Sequence, residues 1–137
     1  MPRSKTKPTA SLIDHMLGEA SWLLSHAQAL TDYGRQEEAA AEWGRAASCE
    51  EQTACLLEAD GQEREAAIHR VSAASCCEAL GQYPRAVTLL HAALSTALPD
   101  DYRVRVEQQL VRTLAQVHKE LSRAFARRAR KQAPAVN

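Results

Sequence analysis

Four cysteines are the residues of this chain best suited to binding zinc or carrying redox chemistry: Cys49, Cys55, Cys76 and Cys77. Cysteine zinc sites normally contain a pair separated by two to four residues, and the sequence has no such pair. Cys76 and Cys77 are adjacent, and adjacent side chains on a helix diverge by about 100°, so these two thiols cannot hold one ion. We therefore expect all four cysteines to be small buried hydrophobic side chains.

Histidines are the next candidates, because an imidazole can bind a metal or act as a general base. His15 precedes Glu19 by four residues and Glu65 precedes His69 by four, a spacing that predicts local ion pairs along a helix. The Glu-x-x-His spacing of di-iron bundles is missing. The sequence also lacks a nucleophile elbow, a phosphate-binding loop, a dinucleotide-binding fingerprint and an H-E-x-x-H motif. We expect no enzyme activity, no metal site and no cofactor.

Length and composition are those of one soluble globular domain. The 137 residues are 45% apolar and 25% charged, which is close to average and unlike a disordered chain. There is no run of about 18 apolar residues that could span a membrane. The N-terminus lacks the apolar region of a secretory signal. These features predict a cytoplasmic protein with no membrane partner.

The formal net charge of zero hides a strong segregation of charge along the chain. Residues 1–8 carry three cations and no acid, which gives +3. Residues 9–102 hold 5 Arg against 15 Asp and Glu, which gives −10. Residues 103–137 hold 9 Lys and Arg against Glu107 and Glu120, which gives +7. A function for this chain has to account for the basic C-terminal region.

The composition and spacing of the central residues predict about five helices. The chain contains 26 Ala, many other helix formers and few β-branched or aromatic residues, so we expect an all-α fold with a thin core of Ala and Leu. Turn residues place the first helix from near Ser11, where Ser11 and Asp14 have capping-box spacing, and the others at about 36–59, 63–80, from the Pro84 turn, and 102–131. The predicted organisation is a disordered basic N-terminus (1–8), one helical domain (9–132) and a disordered tail (133–137).

Glu50 conflicts with this pattern, because it lies on the apolar stripe of the second helix between Ala47 and Ala54. Two explanations remain open: the helix is broken near Ser48–Glu50, or Glu50 lies at the edge of the stripe. The short connections between the predicted helices favour consecutive antiparallel pairs.

The segment CCEALGQYPRAVTLLHAAL, residues 76–94, resembles the centre of a tetratricopeptide repeat. The matching residues are Gly81, Tyr83, Ala86, Leu90, Ala93 and Leu94. Gly34, Ala39, Trp43 and Ala46 repeat part of this spacing, and Gly61 and Ala66 repeat the interval from Gly to Ala. The Gly-to-Gly intervals of 27 and 20 residues depart from the regular 34-residue period of the family. The segment 76–94 is also similar to the three-helix microtubule-interacting-and-trafficking hairpin fold.

The resemblance to tetratricopeptide repeats implies a stack of helical hairpins whose first helices line a groove for a partner peptide. The groove positions that it implies are Ile68, Val71, Ser75 and Glu78. One repeat further, it implies that Arg105, Gln109 and Arg112 continue the same wall. The alternative is that the fifth helix is a cap, because Glu107 and Gln108 occupy positions that the family fills with packing residues.

The last predicted helix has two distinct faces when it is plotted at about 100° per residue. We expect one face to pack on the core: Val106, Leu110, Leu114, Val117, Leu121, Ala124 and Phe125. The other face carries a line of cations, which we call the basic stripe: Arg105, Arg112, Lys119, Arg123, Arg127 and Arg130.

Three interpretations of the basic stripe remain open. It can be a solvated face that only keeps the protein dispersed. It can receive an acidic protein surface, including the acidic middle of another copy in a homo-oligomer. It can also neutralise nucleic-acid phosphates, although no aromatic side chains are interleaved with the cations.

The function favoured by these patterns is a non-catalytic protein-interaction module, an adaptor or scaffold of tetratricopeptide-like type. The alternatives are a nucleic-acid-binding adaptor that uses the basic helix, and a helical-bundle enzyme or metal carrier.

Overall fold

The computed structural model describes residues 8–134, and the side chains of residues 10–134. Five α-helices account for most of this part of the chain, and it contains no β-strand. They are α1 (Pro8–Asp32), α2 (Gln36–Ala59), α3 (Glu63–Ala79), α4 (Tyr83–Leu94) and α5 (Asp100–Gln132). The predicted all-α fold of about five helices is confirmed.

Two predictions concern the ends of the chain. The first helix begins at Pro8 rather than near Ser11, so the predicted capping role of Ser11 and Asp14 is wrong. A proline suits the first helical position because its missing N–H would have no partner there. Residues 1–7 and 135–137, which the sequence assigned to disordered ends, lie outside the described residues. No helix in the described part combines the length and the apolar character needed to cross a bilayer.

The first three turns share one local geometry, centred on Gly34, Gly61 and Gly81. Each glycine has a positive φ, of 76°, 79° and 72°, which glycine adopts without a side-chain clash. The glycine N–H bonds the carbonyl three residues back, and the next N–H bonds the carbonyl five residues back. This is the Schellman arrangement, which closes a helix by satisfying its last carbonyls. The same turn three times therefore produces three similar helix reversals.

The core is thin and built largely from small side chains, as the composition predicts. Each helix packs on its neighbours in sequence, and alanines at the contacts are fully buried, among them Ala67, Ala73 and Ala74. Leu90 and Val106 are the largest apolar side chains that are almost completely enclosed. Small side chains allow the helix axes to approach closely, so many short contacts replace a few bulky ones.

The cysteines follow their prediction with one exception. Cys49, Cys76 and Cys77 are buried in the core, whereas Cys55 is exposed on α2, where the prediction of burial is wrong. Burial raises the pKa of the Cys76 thiol to about 12, and burial also raises the pKa of Cys49 and of Cys77. These three thiols are therefore protonated near neutral pH and have little nucleophilic character.

Glu50 is neither at a helix break nor at an edge. The helix α2 is continuous through it, and the Glu50 side chain is only 3% exposed. Its Oε2 atom lies 2.5 Å from Nδ1 of His69 on α3. The predicted local pair of His69 with Glu65 is wrong, because His69 is turned inward to the buried carboxylate. The other predicted local pair, His15 with Glu19, is present at 3.8 Å.

A second buried carboxylate joins α2 to α1 in the same way. Glu42 is 6% exposed, and its Oε2 lies 2.9 Å from Nδ1 of His26. Arg45 also contacts this carboxylate. The two glutamates thus attach the helices on either side of α2, with His26 on α1 and His69 on α3.

The helix α5 is much longer than the helix on which it packs. At about 1.5 Å per residue, its 33 residues extend for about 50 Å, whereas the 12 residues of α4 extend for about 18 Å. Only the first half of α5 therefore has a neighbour. Every residue from His118 to Gln132 is exposed, and we call this segment the C-terminal arm.

The predicted core-facing stripe of α5 is consequently only half correct. Val106 is buried and Leu110 is partly covered, but Leu121 is 53% exposed and Phe125 is 66% exposed. Periodicity identifies which residues share a face. It does not say whether another helix covers that face.

Candidate partner-binding surface

The junction of α3 with α5 brings two of the predicted groove residues, Ser75 and Glu78, into contact with α5 near the start of the basic stripe. Gln109 Nε2 donates hydrogen bonds to Ser75 Oγ at 3.1 Å and to Glu78 Oε2 at 2.8 Å. The Thr113 hydroxyl donates to the other oxygen of Glu78 and also contacts the Gln109 carbonyl at 2.8 Å. These bonds hold α5 alongside α3 through polar groups. We call this contact the α3–α5 seam.

The four predicted groove positions on α3 have different environments. Ile68 and Ser75 are exposed, and Ser75 accepts the hydrogen bond from Gln109. Val71 is buried in the core, and the Glu78 carboxylate is occupied by α5. Ile68 and Ser75 are thus the two that present a side chain to an approaching partner.

The start of α5 is fixed by a contact that sequence analysis missed. Arg103 donates to the carbonyl of Leu94 at 3.1 Å and to the carbonyl of Thr96 at 3.0 Å. These carbonyls lie at the end of α4, where a helix has no further backbone donors and favours a nearby cation. Arg103 therefore fixes the direction in which α5 leaves the body.

All six residues of the basic stripe are exposed. Among the residues that the structure describes, no carboxylate lies within ion-pair distance of any of them. Arg105 lies over the ring of Tyr102, with its guanidinium carbon 5.7 Å from the ring centroid. Burial raises the pKa of the Tyr102 hydroxyl, so this ring is neutral near pH 7.

The arginines of α2–α4 and of the turn after α1 differ from those of the basic stripe, because most of them are paired with carboxylates. Four of the five in residues 9–102 form ion pairs inside the molecule: Arg35 with Glu38, Arg45 with Glu42, Arg70 with Glu58, and Arg85 with Glu51. The cations of α5 beyond Arg103 have no such neighbours in the described part. The basic stripe is thus the largest line of exposed, unpaired cations in the described part of the chain.

The described residues have no cluster suited to a metal ion. They contain no group of three or more His, Cys, Asp or Glu side chains that could hold a metal ion. An open groove of about 640 Å³ lies between α1, α2 and α4, with Leu12, Met16 and Leu56 on its apolar side. The ion pair of Glu51 with Arg85 lies at its edge. The two charged groups of this groove are thus engaged with each other.

Comparison with protein-family models, with curated proteins and with solved structures gives no match for this chain. The resemblance to tetratricopeptide repeats stays a prediction that is based on the residues quoted for it.

Two signals in the sequence could have revealed more of this surface. Thr113 lies among the core-facing positions of α5, and a polar residue there indicates a hydrogen-bonded contact, which Glu78 provides. The stop at Pro99 limits α4 to a few turns, whereas the helical pattern that follows it is far longer. That difference in length already indicates an overhang.

Proposed function

We propose that this chain is a non-catalytic protein-interaction module of tetratricopeptide-like type, and that it binds an extended acidic segment of another protein. The observation that carries the proposal is the basic stripe, six exposed cations along one line of a rigid helix with no described carboxylate beside them. From Arg105 to Arg130 it covers about 37 Å, enough for roughly ten residues of extended peptide.

The surface beside the stripe supports a peptide ligand. Ser75 supplies a hydroxyl at the α3–α5 seam, where Gln109 contacts it, and Ile68 supplies an exposed apolar side chain on the same face of α3. A peptide that lies there contacts two helices whose relative position is fixed. Such a preformed surface lowers the entropic cost of binding.

The experiment is a fluorescence-polarisation titration of the full chain with four labelled probes. They are a twelve-residue Glu/Ser peptide, a Gln/Ser peptide of the same length, a twelve-nucleotide single strand and a generic DNA duplex. We expect the acidic peptide to bind and the neutral peptide not to bind. The reversal Arg112→Glu with Arg123→Glu should weaken binding of the acidic peptide about tenfold or more, which is roughly 1.4 kcal/mol.

Two controls separate charge from fold. Arg112→Lys with Arg123→Lys keeps the cations and should keep most of the affinity. Arg35→Glu reverses an exposed charge in the turn between α1 and α2, two helices whose described residues do not pack on α5, and should have little effect. No binding of the acidic peptide at low salt, or equal loss with Arg35→Glu, contradicts the proposal. Tighter binding of the duplex, with a steep salt dependence, assigns the stripe to nucleic acid instead.

A further inference from the structure

The outer side of α5 carries most of the large exposed apolar side chains of the described protein. Nine such side chains are exposed, and five of them lie on this one helix: Val104, Val111, Leu114, Leu121 and Phe125. At about 100° per residue the five fall within an arc about 100° wide, which we call the outer face. Its centre lies about 150° around the helix from the basic stripe.

The outer face is where the next helix of a stack would pack. The inner side of α5, with Val106 and Thr113, is covered by the body. The outer face follows on from that contact and runs along almost the whole helix, since Val104 and Phe125 are about 32 Å apart. Exposed apolar surface that is continuous over several turns is typical of an interface.

Charge decides what can cover this face. Asp100 and Glu107 lie in the same arc near the start of α5. Near the end of the helix, Arg128 lies about 20° outside the arc, whereas Arg127 and Arg130 belong to the basic stripe. The two ends of the outer face are therefore opposite in charge, with apolar side chains between them. Glu107 already has Arg103 at 3.9 Å, whereas Asp100 is an exposed first-turn acid.

We propose that two copies of this chain pair through their outer faces, with the two α5 helices antiparallel. In this arrangement Val104 of each copy lies opposite Phe125 of the other, and a two-fold axis passes near Leu114. Asp100 of each copy then lies beside Arg128 of the other. A parallel pair would instead place the two basic ends side by side, so the charge pattern selects the antiparallel one.

The pairing is isologous, because the same surface is used on both copies and both ends of it are satisfied at once. It closes at a dimer and leaves no outer face free. The basic stripe stays exposed on each copy, because it lies on another side of the helix. The proposal is therefore independent of the proposed peptide binding.

The first test is the mass of the full chain by sedimentation equilibrium from 1 to 200 μM at low salt. We expect the mass to rise to twice 15.1 kDa. Val111→Glu with Leu121→Glu should raise the dissociation constant at least tenfold, because both side chains lie on the outer face. The matched control, Arg112→Glu with Arg123→Glu, changes the other side of α5 and should leave the dimer intact while it weakens peptide binding.

The second test addresses orientation by reversing the charge at each end separately. Asp100→Lys and Arg128→Glu should each dimerise at least tenfold more weakly than the wild type. An equimolar mixture of the two variants should recover dimers, since each end then meets an opposite charge. Circular dichroism of each variant alone verifies that α5 is still helical.

Several results would overturn the proposal. They are a single-chain mass at 200 μM, a dimer that withstands Val111→Glu with Leu121→Glu, or charge-reversed variants that fail to recover dimers when mixed. Loss of the dimer in the Arg112→Glu, Arg123→Glu control would move the interface to the basic stripe and also overturn it.

Discussion

The body, α1–α4, and the C-terminal arm are both helical, but their charged side chains have opposite environments. In the body, Glu42 and Glu50 are buried and contact His26 and His69, and most arginines form ion pairs. In the arm, six cations face solvent with only Glu120 among them. The body therefore uses charge to join helices, while the arm presents its charge to solvent.

The apolar side chains show the same difference. Leu90 in α4 is fully buried, whereas Leu121 in the arm is 53% exposed. Both lie on the apolar side of a helix with similar periodicity. What separates them is a neighbouring helix, since α4 lies between α3 and α5 and the arm extends beyond α4. Stability thus resides in the body, because the arm buries little apolar surface.

The largest expected effect comes from shortening the same residue type in the two regions. Leu90→Ala should lower the free energy of unfolding by about 3 kcal/mol, because it leaves a cavity in the closely packed core. Leu121→Ala should change it by less than about 0.5 kcal/mol in dilute protein, where the chain is a monomer. Urea unfolding followed by circular dichroism measures both. Equal losses would show that the arm packs on the body.

A smaller effect is expected from the buried pair of His69 with Glu50. His69→Ala should cost about 2 kcal/mol, because it leaves the buried carboxylate without its partner. The control is Glu65→Ala, which removes the acid that sequence spacing alone would pair with His69. Chemical denaturation should show almost no change for that control. If the two variants are equally destabilised, the pairing of His69 with Glu50 is wrong.

The smallest of the three effects depends on pH. The hydrogen bond from His26, helped by Arg45, lowers the pKa of Glu42 despite the opposing effect of burial. A carboxylate with a lowered pKa stabilises the fold above the pKa that it has in the unfolded chain, and that contribution is lost as the pH falls through the lowered value. Glu42→Gln should therefore cost about 1 kcal/mol at pH 6 and progressively less below about pH 4.

The quantity to compare is the difference in the free energy of unfolding between the wild type and Glu42→Gln, measured as a function of pH. Thermal unfolding at a series of pH values gives it directly. A difference that stays constant from pH 6 to pH 3 would show that the ionised form of Glu42 does not contribute. Arg35→Gln, which removes a cation from an exposed ion pair with Glu38, should give a much smaller difference at every pH.

The sequence predicts the helices well because their limits are set locally. The bounds of α2 match the prediction, and α3 ends one residue earlier than predicted. Gly34, Gly61 and Gly81 end helices through a backbone conformation that depends on the residue itself. The basic stripe is also a local property, since it requires only a continuous helix and the order of the residues.

The candidate site could be predicted only in part. The cations of α5 are exposed at the predicted positions, but Val71 and Glu78 are engaged inside the molecule rather than displayed. Their environments depend on where α5 crosses α3. The relevant hydrogen bonds join residues about 34 positions apart, from Ser75 to Gln109 and from Glu78 to Thr113. No local pattern specifies such contacts.

The sequence by itself determined the helices, their turns and the separation of apolar from basic side chains on α5. Only the tertiary structure decided that His69 contacts Glu50 rather than Glu65, and that the apolar side of the arm has no cover within the described chain. The physical reason is the range of the forces involved. Helix formation and termination depend on residues within a few positions, whereas burial depends on which distant helix occupies the adjoining space.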